Sequence, residues 1–193
     1  MDSSKPIINF AGSKVGLGPL QKEHIYLYYQ WNNDFTINRT TASMRPLTLE
    51  EQNDAYDQFI RNKQYVFFTI YELETFKPIG LTYLADIQDR NAEFGIVIGE
   101  VNYHGKGYGT ETTQLMLDYA FTILGLHNVM LSVYAFNQAG IAAYQKAGFK
   151  EYGRRREVKY RNGKLHDQVF MDCISTEFNS VILSELCSQK SCR

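Results

Sequence analysis

Three glycines at alternate positions, Gly105, Gly107 and Gly109, stand between an apolar run, Ala92–Ile98, and a segment of helical periodicity, Thr110–Leu124. A strand that passes through such a turn straight into a helix leaves successive main-chain amides without partners. It also lacks the Cβ atoms that would keep a ligand at a distance. The combination makes a concave, positively polarised seat for a phosphate or pyrophosphate. Two common nucleotide readings fail here. No GxxxxGK[ST] sequence is present, and the spacing is GxGxG where a dinucleotide fingerprint needs GxGxxG inside a βαβ unit.

The flanking pattern predicts a mixed chain. Val15–Leu20 reads as a first strand and His24–Asn32 as a helix, with an irregular polar loop over Asn33–Pro46. Thr48 and Glu51 form a capping box that opens a helix from Leu49 to about Arg61. Tyr65–Glu72, Ile79–Ile87 and Ala92–Ile98 follow as an antiparallel meander. After the glycine loop and its helix come a buried strand, Asn128–Tyr134, and a helix, Gly140–Ala147, stopped by Gly148. A hairpin of Arg155–Tyr160 and Lys164–Cys173 turns at Asn162-Gly163. The sum is an α+β domain over 15–175, with an N-terminal segment, 1–14, and a C-terminal helix or tail, 176–193.

Composition limits the partners. The chain has 193 residues, 44% of them hydrophobic, and a formal charge of −1, so a core is available but general nucleic-acid or anionic-membrane binding is not expected. No apolar stretch approaches the ~20 residues of a membrane span, and no secretory leader is evident, so a cytoplasmic location is expected. Cys173, Cys187 and Cys192 show no paired spacing, so neither a disulfide framework nor a metal site is expected. A homodimer is possible, but no pattern requires one.

The run His104-Gly105-Lys106-Gly107-Tyr108-Gly109 resembles the acetyl-CoA motif [Arg/Gln]-x-x-Gly-x-[Gly/Ala] of the GNAT superfamily of N-acetyltransferases. Leu17–Leu20, Trp31–Asp34, Asn137–Phe149 and Tyr160–Lys164 extend the likeness, which is closest to the RimJ/RimL-like branch of ribosomal-protein N-terminal and spermidine acetyltransferases. The resemblance implies a central, mostly antiparallel seven-stranded sheet, splayed between strands 4 and 5 and flanked by about four helices. It implies acetyl-CoA held by Val97, Ile98, His104, Gly105, Lys106, Gly107, Tyr108, Gly109, Thr110, Asn137 and Tyr144. His104 departs from the motif, because a neutral imidazole donates only one hydrogen bond.

Transfer to a primary amine requires loss of an ammonium proton, since an amine of pKa ~10.4 is uncharged in only about one part in a thousand at neutral pH. Glu93, on the same strand face as Gly95 and Val97, is the candidate base, either directly or through water. The family places a glutamate base eleven residues before the Arg/Gln position, where His104 stands here. A substrate-tethering or purely structural role for Glu93 remains the alternative. Tyr144 is the candidate acid for the departing thiolate, and its alternative is a core aromatic. The amide near Ile98 is expected to meet the developing oxyanion. Ser132 is not expected to be a nucleophile.

Trp31, Asn32, Tyr83 and Glu93 are the expected acceptor-binding residues, with the Asn33–Pro46 loop and the closing hairpin around Tyr160 and His166 completing the pocket. The acceptor is either a small amine (amino-sugar, antibiotic or polyamine) or a protein N-terminus, and a non-catalytic acyl-CoA-binding module is the third reading. Arg39 and Arg45 in the loop argue mildly against a polyamine.

Overall fold

The computed structural model describes residues 5–40 and 45–180. Eight strands form one open sheet in the order β1-β2-β3-β4-β5-β6-β8-β7. The strands are β1 Phe10–Ala11, β2 Val15–Pro19, β3 Val66–Glu72, β4 Pro78–Gln88, β5 Asn91–Ile98, β6 Asn128–Tyr134, β7 Lys150–Arg161 and β8 Lys164–Ile174. The helices are α1 Ile25–Asn33, α2 Phe35–Asn38, α3 Leu49–Arg61, α4 Tyr108–Asp118 and α5 Gln138–Ala147.

The sheet therefore has one strand more than the seven expected. β1 is only two residues long, too short to show alternation in sequence. It is held by Phe10, which stacks on Tyr119 at 5.3 Å and meets Phe68 edge-on at 5.2 Å. A fifth helix also appears, in the stretch expected to be irregular. Asp34 accepts from the Thr36 amide at 2.7 Å and so caps the four-residue α2. The expected helix through Leu124 is α-helical only to Asp118, after which Tyr119–Ile123 forms a π-helical turn. The expected strand from Arg155 starts earlier, at Lys150. Residues 41–44 of the loop and 181–193 of the tail, with Cys187 and Cys192, lie outside the described residues. Cys173 is buried and free. Among the described residues no helix is long and apolar enough to cross a membrane.

Two tight turns fix the register. Asp89 and Arg90 both take positive φ, 48° and 61°, as do Asn162 and Gly163, 50° and 76°. This is the geometry that suits the twist of a hairpin. The capping box of α3 is present, with Thr48 and Glu51 each accepting from the other's amide.

Pleat alternation divides β5 between two cores. Phe94, Ile96 and Ile98 join the larger cluster built on Leu115, Met116 and Leu117 of α4. Val97 joins Leu81 and a smaller cluster of Tyr28, Trp31 and Ile37 from α1 and α2. On that second face, Gly95 and Gly99 are seats for aromatic rings. A Cβ on Gly95 would overlap Tyr83, its cross-strand partner, and one on Gly99 would overlap the indole of Trp31.

Trp31 is only 4% exposed and has little room to yield. Gly99→Ala should therefore lower the unfolding free energy by about 1–3 kcal/mol in urea titrations. Gly153→Ala, where nothing lies within 4 Å of an added Cβ, should change it by less than about 0.5 kcal/mol. Equal effects would refute the ring-seat account.

Candidate active site

β5 and β6 are the only parallel neighbours in the described sheet, and they pair only from Asn91↔Asn128 to Glu93↔Met130. Beyond Glu93 the two strands part. On its other edge β5 stays paired with β4 as far as Ile98, and the Gly99 amide donates to Ile79 at 2.8 Å. Strand alternation then turns the amides of Ile96 and Ile98 toward the opening.

A cleft of about 590 Å³ occupies this opening. Ile96, Val97 and Ile98 form one wall, and Asn137, Ala143 and Tyr144 of the α5 region form the other. The glycine loop closes one end. Gly105 and Gly107 adopt positive φ, 69° and 91°, as the turn requires. Gly107 is the residue before α4 and no side chain caps that helix. The first bond of the helix runs from Glu111 N to Gly107 O, leaving the amides of Tyr108, Gly109 and Thr110 without partners inside it. The cleft lining contains no Asp or Glu, while Arg39 and Lys146 contribute positive charge. Open amides, absent Cβ atoms and a carboxylate-free lining fit the phosphates of CoA.

Most of the expected cofactor residues reach this cleft, with two exceptions. The lining includes Val97, Ile98, His104, Gly105, Gly107, Gly109, Thr110, Asn137 and Tyr144 but neither the Lys106 nor the Tyr108 side chain. Tyr108 instead packs edge-on against Tyr103 at 5.0 Å. His104 is turned inward, with Nε2 2.8 Å from Ile98 O. A carbonyl only accepts, so that nitrogen carries a proton. Asn137 accepts from Gly140 N at 3.0 Å and so caps α5.

A second cavity of about 490 Å³ lies on the α1–α3 side and meets the first at Val97. Its acids are Glu93 and Asp86, its lining holds no Lys, Arg or His, and Tyr56, Phe59, Tyr65, Phe67 and Tyr83 wall it. Phe67 stacks on Phe59 at 4.4 Å and leans on Tyr83 at 5.1 Å. Asp86 sits in a β-bulge of β4 with φ 51°. Of the expected acceptor residues, Asn32, Tyr83 and Glu93 line this cavity. Trp31 does not. It is a core residue whose Nε1 donates to Glu100 at 3.3 Å. Tyr160 is exposed, and His166 lines a separate cavity of about 370 Å³ with Arg39, Arg161 and Lys164. The two loop arginines stay away from the acidic cavity, since Arg45 is ion-paired with Glu51 on the surface at 2.8 Å. Sequence reading missed Asp86 and the α3 aromatics and set Arg39 beside the acceptor, whereas it lines the first cleft; a bulge and a loop path leave no periodic signal.

The electrostatics join the two cavities. Burial, then the Asp86 charge, raises the Glu93 carboxyl above its ordinary 4.5. Tyr83 is raised by burial and by Glu93. Tyr144 is pushed up to about 12 by burial and by Tyr83, and its ring meets Phe94 edge-on at 6.2 Å. Tyr83 acts on Tyr144 from the other cavity, past the point where β5 and β6 have parted.

The raised Glu93 value carries a stability cost of known sign. The folded chain holds this proton more tightly than the unfolded chain, so stability falls as pH rises from about 4.5 and levels off above the folded value. Glu93→Gln should melt higher than the parent chain at pH 7, and the difference should close near pH 4 in calorimetry. A gap independent of pH would refute the assignment.

Comparison with known proteins places this architecture. A family model described as an acetyltransferase (GNAT) domain matches residues 14–150. Spermidine N(1)-acetyltransferase of Escherichia coli K12 is 32% identical over 162 residues, 83% of this chain and 85% of that protein. Human alpha/beta-tubulin-N-acetyltransferase 9 is 30% identical over 154 residues, 72% of this chain and 74% of that one. Spermidine N-acetyltransferase from Vibrio cholerae, solved in complex with CoA and spermine, superposes with a TM-score of 0.80 at 27% identity, covering 86% of this chain and 98% of its own. The chain therefore belongs to the GNAT acetyltransferase family and works as an acetyl-CoA-dependent N-acetyltransferase.

Proposed function

We propose that the chain acetylates an aliphatic polyamine, with Glu93 as base and Tyr144 as acid. The carrying observation is that the acidic, aromatic-walled cavity that holds Glu93 meets the CoA cleft at Val97, on the stretch of β5 that has parted from β6. Two carboxylates without a competing cation suit an ammonium chain, and tyrosine and phenylalanine faces attract cations as well. The relatives that act on spermidine support this acceptor. The loop arginines, which counted against a polyamine in the sequence, are outside this cavity. Placement in the RimJ/RimL-like branch is supported by the Trp31–Asp34 and Tyr160–Lys164 motifs.

Acetyl-CoA supplies an electrophilic thioester carbonyl and a sulfur leaving group. Glu93 accepts the proton from the acceptor ammonium, directly or through water, and a carboxyl raised by burial is a stronger base for the task. The freed nitrogen lone pair forms the new C–N bond. The Ile98 amide, unpaired on this edge of β5, donates to the carbonyl oxygen as negative charge gathers there. Tyr144, protonated throughout the neutral range, gives a proton to the sulfur as the C–S bond breaks, and the second proton shed by the new amide nitrogen restores its hydroxyl. Val97, Ile98, His104, the amides from Gly105 to Thr110, and Asn137 position the cofactor, while Asn32 and Tyr83 border the acceptor.

The rate should rise with pH as Glu93 loses its proton, with the acid limb of kcat/KM above the ordinary 4.5. Asp86→Asn should move that limb down, and Glu93→Gln should abolish it. A limb unmoved by both changes would remove Glu93 as base. Tyr144→Phe should lower kcat about a hundredfold or more while CoA affinity stays near the parent value. An acceptor panel of spermidine, spermine, amino-sugars, aminoglycosides and protein N-terminal peptides should give highest kcat/KM with a polyamine. Preference for a peptide would overturn the acceptor assignment.

A further inference from the structure

We infer that Lys14, from the turn between β1 and β2, is a phosphate ligand for CoA, supplying the side-chain cation that the glycine loop itself lacks. The inference rests on the acetyl-CoA reading of the cleft. Within the loop, His104, the side chain at the motif's Arg/Gln position, directs its Nε2 proton to Ile98 O, so that nitrogen has none to give an anion. Neither Lys106 nor Lys14 lines the cleft, but Lys14 is anchored beside the loop through its backbone. A cation nevertheless stands at the loop. Lys14 Nζ donates to Lys106 O at 3.4 Å and lies 4.0 Å from where a Cβ of Gly107 would be. Gly107 lines the cleft and directly precedes α4, so this ammonium sits beside the open amides of Tyr108, Gly109 and Thr110.

The position is built, not incidental. Glu111, in the first turn of α4, accepts from Lys14 N at 2.8 Å, Val15 N at 3.3 Å and Ser13 Oγ at 3.1 Å. One helical carboxylate thus fixes the backbone from which Lys14 extends. Among the described residues Lys14 forms no ion pair. A single long bond to a carbonyl leaves two of the three ammonium protons available. A glycine at 107 keeps the space between that ammonium and the amides free of a side chain. The cation and the helix amides together then face one anion, where charge-assisted hydrogen bonds are the strong ones.

Calorimetric titration of the full chain tests this, with CoA and pantetheine as ligands. Lys14→Met should weaken CoA about five- to twentyfold, leave pantetheine unaffected because it carries no phosphate, and flatten the salt dependence of CoA binding. Lys14→Arg should hold affinity near the parent value. Lys14→Gln keeps a donor to the Lys106 carbonyl but no charge, and should behave like Lys14→Met if charge is what matters. Unchanged CoA affinity in Lys14→Met and Lys14→Gln, or an equal loss for pantetheine, would overturn the assignment. If the parent chain bound no CoA, the acetyltransferase reading would fall, and this inference with it. If only the variants behaved like the parent, the enzyme reading would stand and the lysine alone would be excluded.

Discussion

Everything in the site depends on a backbone pairing that stops. β5 and β6 share a ladder for three residues, and then β5 keeps only its β4 neighbour. Buried amides left unpaired cost free energy, which a ligand offering an acceptor can recover. The parting of the strands is maintained by what fills its flanks. Phe94, Tyr144 and Phe149 pack across the wedge, with ring centroids about 6 Å apart. Asn137 holds the start of α5, and His104 ties the loop back to the end of β5. The same divergence lets Tyr83 act on Tyr144.

Charge is zoned around this wedge. The acceptor cavity carries only acids among its ionisable Asp, Glu, Lys, Arg and His groups, and the CoA cleft carries none of those acids. A chain of net charge −1 cannot draw both substrates with one overall field. Local separation does it instead, with the boundary at Val97 on one strand. Asp86 is the detail that sharpens the boundary, because a bulge sets a second carboxylate where its charge acts on Glu93.

The parts of the structure legible in the sequence are those governed by short-range rules. Thr48 with Glu51, Asn162-Gly163, Gly148, Gly105 and Gly107 each announce a local geometry and each takes it, whereas Gly109, expected in the turn, is already the second residue of α4. Glu93 and Tyr144 came from motif register and do border the wedge. What could not be read depends on packing between distant segments. Trp31 looked like a pocket wall but is drawn into the core because Gly99 offers its ring a flat seat. Arg39 and Arg45 share a loop yet face different surroundings, and β1 exists only because Phe10 finds Tyr119 and Phe68. Composition and spacing carry no record of such meetings.

The two cavities open on different sides of β5 and touch only at Val97. With the acceptor in the acidic cavity, as proposed, donor and acceptor would have separate doors, and neither would have to pass the other to enter. The strand between them serves as a partition with a single window.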